Sequence, residues 1–220
     1  MLRREKGLYT FPTLLAGSVE TGTAFVLKGD MEPLARKKYE NFEEYLSLYP
    51  EYKHVFIGDN GQGDVRAAEM MLEKYPGTFL LLAVYMHVVQ PLEKTYGYRG
   101  PETLARWKSL GISFFNNYLV AAVDAYTKKL IKLSGLRKVA MKTIQDFESL
   151  RFDKATVRER KRLELNQSLA EARRLLGNEL DVALSPVLAE CVYPAGTLVL
   201  TPFGIGVVSC FRPLEGIYEV

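Results

Sequence analysis

The sequence has few of the residues from which most metal, redox and covalent sites are built: 220 residues hold two histidines, two cysteines and one tryptophan. Cys191 and Cys210 have neither metal-ligand nor redox spacing. Both read as small apolar residues of a reducing compartment, so the expected location is cytoplasmic. Long hydrophobic runs are absent too. The longest, residues 79–89 (FLLLAVYMHVV), is too short for a membrane span and carries His87. The opening MLRREKGLYTFPTLLAGS sets basic residues before an apolar patch, but Pro12 interrupts it and no convincing cleavage site closes it, which argues against a secretory signal. A net charge of +3 is too mild to argue for nucleic acid as a partner. With 48% hydrophobic and 25% charged residues the composition is that of an ordinary globular chain, long enough for one sizeable core and a small appendage.

Familiar glycine and nucleophile motifs are missing as well. The one glycine-rich stretch runs G-x-x-G-x-G, not the dinucleotide G-x-G-x-x-G, and no Gly-Lys-Ser/Thr follows as a P-loop needs. A calcium loop wants oxygen ligands where this stretch has Gly61 and Gly63. Ser18 has no G-x-S-x-G context and reads as a turn residue. No Asp-x-Asp pair occurs anywhere.

What is present centres on residues 54–64, HVFIGDNGQGD. HVFIG is a short apolar run that predicts a buried strand. In DNGQGD, glycines supply the positive φ or close approach that a turn or ligand demands, between the carboxylates of Asp59 and Asp64. The following VRAAEMMLEKYP predicts a helix, so the loop joins a strand's carboxyl end to a helix's amino end, where α/β sheets bind ligands and anions are favoured. Two carboxylates beside such an end point to a hard divalent cation, magnesium, sharing the site with a phosphate. The plain alternative is a tight glycine turn with two solvated acids.

GDNGQGD resembles the fourth motif of haloacid-dehalogenase-type phosphohydrolases, and within them the group related to actin-patch phosphatidate phosphatases. The resemblance covers about residues 12–150. It implies that Asp59 and Asp64 hold Mg2+, that Asn60, Gly61, Gln62 and Gly63 form the phosphate-binding loop, and that a lysine at the start of the preceding helix steadies the phosphoryl group. Lys38 is the first choice for that lysine and Lys37 the second. The family's nucleophile is the first aspartate of an Asp-x-Asp pair, so the resemblance places nucleophile and acid/base strands upstream of Met1 and leaves PTLLAGS (12–18) as the third strand of the sheet. The implied function is a magnesium-dependent phosphomonoester phosphatase, phosphatidate included, inactive as this chain. Its partner would be a phosphorylated small molecule or lipid head group. The alternative is a non-catalytic protein-interaction or phosphate-binding protein that keeps the fold.

Helices are predicted at 33–48, 65–75 and 101–109, with a strand at 79–89 and a loop at 90–101 whose tyrosines and Arg99 either cap the site or cross the surface. His87 falls at the same sheet edge as Asp59, and His54 at the opposite edge. The run from Gly111 predicts a helix with Leu119, Val123, Tyr126 and Leu130 on one face, broken at Gly135, then a second helix with Leu136, Val139, Ile144 and Phe147 inward. Residues 154–180 predict a charged helix striped by Leu165, Leu169, Leu176 and Leu180. Its RERKR run (158–162) fits either peripheral contact with an anionic membrane or a solvated face. The last segment reads as antiparallel strands resembling the first hairpins of a small Src-homology-type barrel. The expected architecture is thus α/β: a partial doubly wound parallel sheet in residues 1–150, a charged helical extension in 151–182, and an incomplete β-barrel-like hairpin segment in 190–220.

Overall fold

The computed structural model describes residues 30–76, 80–177, 193–212 and 217–220. The expected strand at 12–18, Ser18, Leu180 and Cys191 lie outside them. The chain passes from one compact unit to a second between Asn116 and Asn117.

The first unit is mixed α/β. It runs α1 (Glu32–Leu48), β1 (His54–Asp59), α2 (Asp64–Lys74), β2 (Leu81–His87), a 3-10 turn (Leu92–Lys94), α3 (Pro101–Leu110) and β3 (Ile112–Phe115). The three strands are parallel in the order β1-β2-β3. Asp59 pairs with His87 and His87 with Phe115, so all three carboxyl ends fall on one sheet edge. β2 is the middle strand, and Leu81, Ala83, Val84, Tyr85 and Met86 are all buried, as a strand covered on both faces requires. α2 turns Val65, Ala67, Ala68 and Met71 into the same core, with Trp107 and Ile112.

Two expectations change here. β1 is not buried throughout: it alternates, with Val55 and Ile57 exposed on one face of the sheet, which is left less covered than the other. The stretch after Gly111 opens with a strand, β3. Gly111, left-handed at φ 96°, ends α3, and Asn117 caps the next helix by accepting from the Val120 amide at 3.2 Å.

Glu69 ties α2 to α3. Its buried carboxylate accepts from Trp107 Nε1 at 2.8 Å, from Arg66 at 3.3 Å and from Arg106. Removing a buried carboxylate strands the donors around it, but Arg66 and Arg106 reach solvent and soften the loss. Glu69→Ala should therefore lower the unit's unfolding free energy by about 2 kcal/mol, read as a shift in denaturant midpoint.

Glu43 on α1 accepts from Lys74 and, at 2.9 Å, from the Tyr75 hydroxyl beyond the end of α2. Lys74 and then Tyr39 hold the Glu43 carboxyl below its ordinary value of 4.5. A depressed folded-state value means the contribution is complete above that pH and lost as pH falls through the lower folded value. Glu43→Gln should slightly flatten the acid limb of Tm against pH below 4.5, solvent screening keeping the effect small for so exposed a pair.

The second unit contains α4 (Tyr118–Thr127), α5 (Leu133–Ser149) and α6 (Ala155–Leu176), then the hairpins β4 (Leu198–Thr201) with β5 (Gly204–Val207) and β6 (Cys210–Arg212) with β7 (Ile217–Glu219). The helices share a core of Leu119, Leu136, Ala140, Ile144, Phe147, Leu165, Leu169, Ala172 and Leu176. The leucine stripe of α6 therefore faces inward. The division expected near residue 150 falls between α5 and α6, two helices of this one unit. The α4–α5 break is also displaced. It comes at Lys129, a non-glycine residue at φ 60°, while Gly135 lies inside the first turn of α5. Much of the RERKR run is engaged locally: Arg158 lies over the Phe147 ring, Arg162 pairs with Glu159 and Lys161 with Glu164. Among the described residues no helix is long and apolar enough to cross a membrane.

Candidate functional site

The β1–α2 turn carries the polar chemistry at the carboxyl edge of the sheet. Asp64 opens α2, and its carboxylate folds back to the strand. Oδ2 accepts from the Asp59 amide at 3.0 Å, and Oδ1 accepts from Lys38 Nζ. Lys38 also donates to the Gln62 carbonyl at 3.2 Å. α1 thereby reaches the loop through Lys38. Lys37 makes no ion pair among the described residues, so of the two lysines only Lys38 joins the site.

Two glycines make this approach feasible. A Cβ on Gly58 would meet Asp64 Oδ2 at 2.6 Å, so any larger residue would push the carboxylate off the strand end. Gly63 sits at φ 77°, in the left-handed region that favours glycine, and a Cβ there would press on the Met31 carbonyl at 3.1 Å.

Asp59 turns its side chain into the loop, where Oδ1 accepts from the Gly61 amide at 2.7 Å. Oδ2 of Asp59 has no protein partner among the described residues. The Gln62 and Gly63 amides likewise donate no hydrogen bond there, leaving two N–H groups at the head of α2.

Asn60, expected among the phosphate contacts, has a different task. It is 1% exposed. Its Nδ2 donates to the Gln90 carbonyl at 2.9 Å and to Thr95 Oγ1 at 3.0 Å, and its Oδ1 accepts from the Val89 and Gln90 amides. Gln90 returns a bond from Nε2 to the Asn60 carbonyl at 2.8 Å. With its donors and acceptor spent, Asn60 locks the loop after β2 onto the loop after β1. Gln90 and Thr95 had no signal in the sequence, being thirty and thirty-five positions away.

His87 is beside Asp59 in the sheet, but its ring stacks on Phe115 at 5.1 Å and its Nε2 lies 3.3 Å from the Asn116 carbonyl. His54 packs edge-on against Phe42 and Tyr45 at the far end of β1. Of the loop residues 90–101, Tyr96 donates to Asp30, Tyr98 packs on Trp107, and Arg99 is exposed.

Electrostatically the site holds two carboxylates, one ammonium and two uncommitted amides. No group of three or more His, Cys, Asp or Glu residues that could hold a metal ion occurs among the described residues. A metal here would have Asp59 Oδ2 as its accessible protein ligand, with Asp64 already neutralised by Lys38. Compared with protein-family models, curated proteins and solved structures, the chain matches none.

Asn60→Ala would remove four side-chain bonds and leave the Val89 and Gln90 amides without their acceptor. The expected cost is about 2–4 kcal/mol, seen as a lower denaturant midpoint.

Proposed function

We propose that the β1–α2 loop is a magnesium-assisted phosphate site of the haloacid-dehalogenase type, on a doubly wound sheet of which β1, β2 and β3 are part. The observation that carries the reading is the Lys38–Asp64–Asp59 arrangement. A lysine from the preceding helix and two aspartates flanking a glycine loop converge at the carboxyl end of a parallel strand. That combination is what the resemblance of GDNGQGD implies, and a mere glycine turn has no need of the lysine.

Magnesium suits the donor set. It is commonly held by one or two carboxylates together with phosphate oxygens and waters, not by a full protein cage. Asp59 would be the direct ligand through Oδ2, with Asp64, engaged by Lys38 and the Asp59 amide, facing the ion across a water, and the ion would supply charge neutralisation at phosphate oxygens. Lys38 would hold Asp64 in place and offer its ammonium to the phosphoryl group. The Gln62 and Gly63 amides would take further oxygens, favoured by the positive end of α2.

The ligand class is a phosphomonoester, with a phosphatidate-type head group as the member the resemblance favours. No Asp-x-Asp pair occurs in the 220 residues. By themselves they would therefore bind without turnover, and hydrolysis by this route needs a nucleophile strand from another segment. Among the described residues β1 is an edge strand, so a further strand could pair along its outer side.

Thermal shift with MgCl2 and inorganic phosphate tests the reading. At ligand concentrations about a hundredfold above Kd the native state gains about 2.7 kcal/mol, which is several degrees of Tm. Wild type should show this with both ligands present. Asp59→Asn should lose the magnesium response, and Lys38→Gln should lose the phosphate increment. No shift at millimolar magnesium and phosphate would overturn the proposal.

A further inference from the structure

The β4–β5 hairpin displays an apolar face that the second unit leaves uncovered. Leu198 pairs with Val207 and Leu200 with Ile205, so the four side chains share one face. They are 70%, 51%, 85% and 78% exposed, and Phe203 at the turn is fully exposed. Val199 and Gly206 lie on the opposite face, where Val220 sits against Gly206. The larger apolar face is thus the outer one. No charged residue occurs from Tyr193 to Phe211.

The chemistry of this face narrows its occupant. Neither β4 nor β5 is paired on its outer side among the described residues. Immersion in lipid would strip water from those edge N–H and C=O groups with nothing to replace it. Packing face to face against another sheet buries the side chains and leaves the edges wet. A surface that meets its own copy must be self-complementary, and an apolar face without charge has no like-charge contact to avoid. Five such residues expose an area on the order of several hundred Å², approaching the ~800 Å² per partner of an ordinary interface and larger than isolated surface residues explain.

We propose that this hairpin is a self-association surface, on which the same hairpin of a second copy packs across a two-fold axis. The pairing is independent of the phosphate reading.

Analytical ultracentrifugation of the whole chain decides the matter. Wild type should approach twice its 24.9 kDa mass as concentration rises to about 100 μM. Leu200→Lys with Ile205→Lys should remain monomeric, since two pairs of ammonium groups would face each other across the axis. A milder variant, Leu200→Thr with Ile205→Thr, keeps strand propensity and should weaken dimerisation at least tenfold while far-UV circular dichroism is unchanged. A wild type that stays monomeric throughout, or a dimer unaffected by both variants, overturns the proposal. So does a monomer that instead co-sediments with phosphatidylcholine vesicles through Phe203, which would make lipid the occupant.

Discussion

Asp64 begins α2, yet its carboxylate lies against the end of β1, taking the Asp59 amide on one oxygen and the Lys38 ammonium on the other. Three elements of the first unit meet at that group. The strand end gains a partner for an amide that would otherwise point into the loop. The helix gains an acid in its first turn, where the macrodipole favours negative charge. α1 is bound to both through a side chain. The arrangement exists only because residue 58 has no Cβ, which makes the glycine before Asp59 as much a part of the site as the acids.

Asn60 extends this order outward. A buried amide whose every hydrogen bond ends on the 89–95 segment converts two separate loops into one body. The strand register aligns their starting points, since Asp59 and His87 pair at the same sheet edge. Asn60 then fixes the direction in which each leaves. The uncommitted groups, Asp59 Oδ2 and the Gln62 and Gly63 amides, are therefore presented by a braced loop. Preorganisation of this kind is what lets a small polar site bind without first paying to order itself.

How much of this could be read from the residues depended on how local the cause was. β1, α2 and the middle strand were legible because periodicity and glycine placement are local signals. So was the inward stripe of Leu165 and Leu169, and the place of Lys38 in α1 accounts for its reach to Asp64. β3 was hidden because Ile112–Phe115 runs straight into an apolar helix, and four residues are too few to show a period of two. Gly111 as a left-handed cap and Asn117 as an N-cap were the available clues. The helix break at Lys129 had no signal, because lysine rarely takes positive φ and Gly135 six residues later was the more conspicuous candidate. The role of Asn60 was also illegible. Its partners are fixed by the packing of two loops, and an asparagine beside glycines looks the same whether it faces a ligand or its own chain.

The charge pattern of the loop constrains how metal and phosphate would share it under the proposed reading. Lys38 cancels Asp64, so the uncompensated charge is that of Asp59 alone. One carboxylate is a weak magnesium site, because the ion gives up its waters reluctantly. Phosphate alone meets two amides and one ammonium already engaged by a carboxylate. Each ligand supplies what the other lacks: phosphate oxygens complete the ion's coordination, and the ion offsets the repulsion between phosphate and Asp59. By reciprocity each must strengthen the other's binding equally. Under that reading the site would discriminate against free magnesium and free phosphate in favour of the pair, and the Lys38–Asp64 bond would be the feature responsible.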